Sequence, residues 1–130
     1  MIDEKIKRIL EKRGRSVRIN GDGTLVFESH GLQLYAGTEE KDPHYVSLWS
    51  YICITPKEGV DESSARKTAE HLENVLKCVK IGLLAVHERS FSFRVGVESL
   101  TDADNLERIA GRIVDIIHTA CSLLQEKLSE

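Results

Sequence analysis

The chain has 130 residues, of which 41% are hydrophobic and 30% charged, and a formal net charge of -3 at neutral pH. One ordinary soluble domain over 1–130 fits that composition, and a chain of this length buries roughly two-thirds of its unfolded surface without staples. The acidic balance argues against nucleic acid as partner, which requires clustered Lys and Arg, and no apolar run approaches the ~20 residues that span a membrane.

The Met1-Ile2-Asp3-Glu4 start shows no basic stretch followed by an apolar one, so the expectation is no secretory signal and a cytoplasmic protein. Cys53, Cys78 and Cys121 are an odd, widely spaced set, each in an apolar pattern. They are expected to be buried free thiols in a reducing compartment.

Ile2, Ile6 and Ile9-Leu10 fall at helical spacing among charged residues and predict a short amphipathic helix closing near Gly14, read as the residue just past its end. Ser16 to Ile19 and Thr24 to Glu28 alternate around Asn20-Gly21-Asp22-Gly23, the pattern of short strands about an Asn-Gly type turn. His30-Gly31 interrupts, and Leu32, Leu34 and Ala36 alternate with Gln33 and Tyr35 in a further strand. Gly37 to Pro43, rich in Glu and Asp, reads as a solvated loop.

His44 to Thr55 is the longest strand expected. Val46, Leu48, Ile52 and Ile54 share one face, and Tyr45, Trp49, Tyr51 and Cys53 share the other with Ser47. Two largely apolar faces describe a central strand with cover on both sides.

Asp61 to Val79 carries Ala65, Ala69, Leu72, Leu76 and Val79 in steps of four and three, a helix with acidic residues at its start. A hairpin follows. A two-residue turn at Glu88-Arg89 sets Val86 opposite Phe91 and Leu84 opposite Phe93, and Phe91, Phe93, Val95 and Val97 alternate with Ser90, Ser92, Arg94 and Gly96. The last helix starts at Thr101, with Thr101 or Asp102 as N-cap, and its stripe runs from Leu106 through Ile109, Ile113, Ile116 or Ile117, Ala120 and Leu124 to Leu128. Gly111 in its middle costs about 1 kcal/mol against Ala and predicts a close neighbour there.

The sum is an α+β fold of order α-β-β-β-α-β-β-α, with an optional short strand near Val17 and a mostly antiparallel sheet whose helices pack on one face.

This order resembles the fold of bacterial type III secretion chaperones and, more closely, the YbjN family. The resemblance is carried by Asp22-Gly23 leading into an apolar strand, by Val46–Ile54 before the helix, and most closely by Leu72-Glu73-Asn74-Val75-Leu76, Ile81-Gly82 and Phe91-Ser92-Phe93-Arg94-Val95. It implies a fold and no catalytic residues. Secretion chaperones are homodimers that hold an extended stretch of another protein.

Motifs with chemistry are few. None of His30, His44, His71, His87 and His118 forms a metal box. His118 and Cys121 lie one helical turn apart, yet a zinc site needs three or four converging ligands, so the pair reads as a packed thiol beside a surface imidazole. Cys78 stands between Lys77 and Lys80, where positive charge lowers a thiol pKa, but its default is a core thiol at a helix end. No cofactor and no metal are expected.

What remains is aromatic. Tyr45, Trp49 and Tyr51, with Tyr35 next door and Arg94 beside them, would share one sheet face, and these are residue types enriched in protein interfaces. Either that face is open, or it packs on a helix and the isoleucine face is the outer one or is also covered. The leading expectation is a non-enzymatic protein-binding module, chaperone-like or regulatory, a homodimer whose partner is an extended segment of another protein. The alternative is a small-ligand binder or small enzyme with a pocket between the sheet and the last helix, near His87, Arg94 or His118.

Overall fold

A computed structural model describes residues 4–39, 41–100 and 103–129, without the side chains of Pro43, Leu100 and Ala103. Its elements are α1 (Glu4–Glu11), β1 (Arg15–Ile19), β2 (Leu25–Ser29), β3 (Leu32–Glu39), β4 (Asp42–Ile54), α2 (Glu62–Leu76), β5 (Val79–His87), β6 (Ser90–Leu100) and α3 (Ala103–Leu128). The fold is α+β in the expected order, and the optional strand near Val17 is present as β1. The six strands form one sheet ordered β1-β2-β3-β4-β6-β5, with every neighbouring pair antiparallel.

Turn chemistry sets the meander. Gly23, at φ 85°, closes the β1–β2 turn, with the Gly23 N–H donating to the Asn20 carbonyl at 3.0 Å and the Asn20 N–H to the Thr24 carbonyl at 2.8 Å. His30 and Gly31 both take positive φ, 48° and 82°, in the two-residue turn that pairs Ser29 with Leu32. The stretch expected as a loop, Gly37–Pro43, is instead the end of a hairpin. β3 runs on to Glu39, which pairs with Asp42 across a register shift. Glu39 and Asp42 sit near the tip, where strand backbone and solvated charge are compatible.

Two further expectations fail in the C-terminal half. The helix read as 61–79 ends at Leu76, because Lys77 and Cys78 both adopt positive φ, and Val79 starts β5 opposite Val97. The hairpin does turn at Glu88-Arg89 with Val86 opposite Phe91, but a bulge at Leu84 places Leu83 opposite Phe93. Leu84 is left 56% exposed. The bulge keeps Ile81 and Leu83 on the core side while re-aiming the strand end.

Gly14 also differs from its expected role. Its φ is not positive. It is required instead by close approach to β2, since a Cβ there would stand 2.6 Å from the Phe27 ring and meet the Glu28 carbonyl oxygen. The expected caps Thr101 and Asp102 lie outside the described residues.

All three helices pack on the face formed by Leu25, Phe27, Leu34, Ala36, Val46, Leu48, Ile54, Phe91, Phe93, Val95 and Val97. α3 packs on β4 and β6, and its Leu106, Ala110, Ile117 and Leu124 are fully buried. α1 rests Ile6, Ile9 and Leu10 against α3 and β2, and α2 covers the β5 side with Ala65, Ala69 and Leu72. Asp61 caps α2 by accepting the Ser64 N–H at 2.8 Å, which holds its carboxyl below the usual 3.8. The tail of α3 is fastened to the chain after β4, where the Lys57 N–H donates to the Leu128 carbonyl at 2.7 Å.

Candidate functional site: the aromatic outer face

The other side of the sheet carries the residues that alternate with the core. Registration places Tyr35 opposite Trp49, Trp49 opposite Gly96, Tyr51 opposite Arg94, and Cys53 opposite Ser92. Of the two arrangements open from sequence, the structure has the tyrosine–tryptophan face directed away from the helices.

Tyr35 stacks on Trp49 with ring centroids 5.9 Å apart and planes 13° from parallel, and it meets Tyr51 edge-on at 5.2 Å. The Arg94 guanidinium lies over the Trp49 ring, 4.8 Å from its centroid. The Gln33 side-chain N–H donates to the Tyr35 hydroxyl at 2.9 Å and fixes that ring from the far side. Two glycines permit the arrangement. A Cβ on Gly37 would stand 3.2 Å from Trp49 Cη2, and one on Gly96 only 2.9 Å from Trp49 Cβ and from the Leu48 carbonyl. Tyr51 is 49% exposed and Trp49 half-buried, and Val26, between Arg18 and Tyr35 in the ladder, is fully buried on this face.

The four residues Tyr35, Trp49, Tyr51 and Arg94 are thus one cluster. Tyr45 shares the face without joining the stack. Burial and a hydrogen bond to Glu98 push its hydroxyl pKa up, while Glu98 is held below its usual 4.5 first by Lys80, 3.1 Å away. Sequence reasoning did not find Gly37, Gly96 and Gln33 as parts of the site. The glycines were legible in principle, being the two strand-interior glycines that flank the tryptophan position.

The groups named for the alternative pocket do not meet. His87 ends β5 in solvent, Arg94 is on the outer face, and His118 is on the helix side, 3.4 Å from Ser29 Oγ and edge-on to His30. Between α3 and the sheet the layer is filled with buried apolar side chains. An open groove of about 660 Å³ lies elsewhere, between α2 and β5, lined by Arg66, Ala69, Glu73, Ile81 and Leu83 among others.

The thiols correct a second expectation. Cys121 is buried, and burial pushes its pKa up to about 11. Cys53 and Cys78 are exposed, Cys53 because it belongs to the outer face, 3.2 Å from Ser92 Oγ, and Cys78 because it sits in the turn after α2. All three are free, and no group of three or more metal-binding side chains converges among the described residues. Nor, among those residues, is any helix long and apolar enough to cross a membrane.

No family model and no curated protein matches this chain. A solved structure of an uncharacterised protein from Methanothermobacter thermautotrophicus superposes on 97% of this chain and 98% of its own length, with a TM-score of 0.60 at 12% identity. At that identity the likeness is one of fold alone.

Proposed function

We propose that this is a non-enzymatic protein-binding module, chaperone-like or regulatory in role and cytoplasmic, which works as a homodimer and holds another chain on the outer face of its sheet. The observation that carries the reading is the Tyr35–Trp49–Tyr51–Arg94 cluster on a face the chain's own helices leave uncovered. Aromatic rings with polar ends, and Arg, are what protein interfaces concentrate at their centres. Support for self-association comes from a different place. Val75, Leu84 and Val86, 58%, 56% and 48% exposed, lie along the α2–β5 side, where a second copy would cover them. The order of elements and the one-sided helix layer also suit membership of the YbjN or secretion-chaperone-like group.

Size-exclusion chromatography with light scattering tests the dimer: the expected mass is twice the 14.6 kDa of the chain, and Leu84→Lys shifts it to that of one chain. An array of extended peptides tests the face, with Trp49→Ala and Tyr51→Ala weakening capture. A strict monomer that captures no peptide overturns the reading.

A further inference from the structure

Among the described residues, three hydrogen-bond donors on the outer face find no acceptor. The Ser47 hydroxyl and the Trp49 indole N–H are buried without a partner, Ser47 being only 7% exposed. The Arg94 guanidinium lies over the indole and joins no ion pair among the described residues. Leaving such groups unmade is costly, and most folds avoid it. Here the three occur together, on a face already notable for its aromatics.

Each donor residue has a glycine on one side, Gly37 facing Ser47 from β3 and Gly96 facing Trp49 from β6. On the other side Ser47 faces Glu98 and Trp49 faces Tyr35, yet neither supplies the missing acceptor. Among the described residues no carboxylate stands within ion-pair distance of Arg94, although Glu98 on the same face feels its charge. Glu98 is engaged by Lys80 at 3.1 Å and Glu28 by Arg15 at 2.9 Å.

We propose that the partner of this face presents a carboxylate, the side chain of an Asp or Glu in an extended segment of another protein. Arg94 takes it in a two-pronged grip, and the Trp49 indole N–H and Ser47 hydroxyl supply the neutral donors. The inference deepens the protein-binding reading above and rests on it. One guanidinium matches one negative charge, whereas a phosphate, with close to two, would call for a second cation, and Lys80 is already engaged. A backbone carbonyl would leave the guanidinium uncompensated. Because the two neutral donors are sealed in the free chain, side chains on the face, Arg94 over the indole among them, must shift to admit the carboxylate.

The only tryptophan of the chain is therefore the reporter. Short extended peptides with a central Glu, and twins with Gln, are titrated while indole emission is followed. Glu peptides are expected to bind roughly tenfold more tightly than their twins, the scale of a charge-assisted bidentate pair. Arg94→Gln abolishes the preference, and Arg94→Lys restores only part of it. Trp49→Phe keeps a ring but removes the N–H, and should weaken the Glu series without changing the Gln series, read by competition against a labelled peptide. Equal binding of the two series, or a Glu preference that survives Arg94→Gln, overturns the carboxylate site while the protein-binding reading stands. Failure of both series to bind the parent protein overturns the reading and the site together.

Discussion

Lys77 holds φ 58° and ψ 157°, backbone space that is nearly reserved for glycine. The following residue, Cys78, is again at positive φ, 57°, and the Val79 N–H donates back to the Lys77 carbonyl at 2.6 Å. A side chain in that region costs of order 1–3 kcal/mol, and glycine returns most of it less its own unfolded-state entropy. Lys77→Gly is therefore expected to stabilise the fold by about 0.5–1 kcal/mol, read as a rise in the urea midpoint at constant slope. Gly111 is the opposite case, a glycine in a place that does not need one. A Cβ there would stand 3.0 Å from Arg13 Nη1, and this end of an exposed arginine can move aside. The close neighbour anticipated from sequence exists, but it is soft. Gly111→Ala should gain helix propensity at little steric cost and stabilise by about 0.5–1 kcal/mol in the same assay.

α2 shows what an element inherits from sequence and what it takes from its surroundings. Its start was legible because Asp61 is a capping residue followed by a regular apolar stripe. Its end was not, because Val79 continues that stripe in phase with the helix while also being the first of the alternating Val79 and Ile81 in β5. Tertiary pairing with β6 decides between the two periods, and no local signal does. The Leu84 bulge escaped for the same reason: a uniformly apolar run, Ile81 to Val86, satisfies either register. The aromatic face was legible as a row of alternating residues, but which side the helices cover depends on packing that the row does not encode. A polar contact ties α2 to β5, the Ile81 N–H donating to Glu73 Oε1 at 2.7 Å. Ile81 is buried, so Glu73→Ala leaves that donor without its partner and is expected to cost about 1–2 kcal/mol. Glu73→Gln keeps an acceptor oxygen and should cost less than half as much. Hydrogen exchange at Ile81 separates this from a general loss of helix, since its amide alone should accelerate beyond the global change in stability.

At the scale of the molecule, one apolar layer is shared by every helix and the central strands, and α3 is its largest single contributor. Its far end is held by fully buried Leu124, by Leu128, and by the Lys57 and Pro56 backbone contacts to Leu128 and Ser129. A helix seated this way should leave the sheet only when the whole layer opens. The three thiols measure that. Cys53 and Cys78 are exposed and should alkylate in the native protein. Cys121 faces the core with its pKa pushed up to about 11, so at pH 8 on the order of one folded molecule in 10³ carries the thiolate, and that one is shielded. Native protein is thus expected to take up two labels quickly and the third through unfolding. The rate of the third should rise with urea along the slope of global unfolding, and Gly111→Ala should slow it roughly two- to fivefold, the factor matching its gain in stability. Labelling of Cys121 that ignores both urea and the Gly111 substitution would mean that the end of α3 frays on its own, in spite of its anchor to the segment after β4. The layer would then have two independently opening parts. Quenched labelling with mass spectrometry of the Cys121 peptide distinguishes the outcomes, because only global opening ties the third thiol to the stability of the entire sheet.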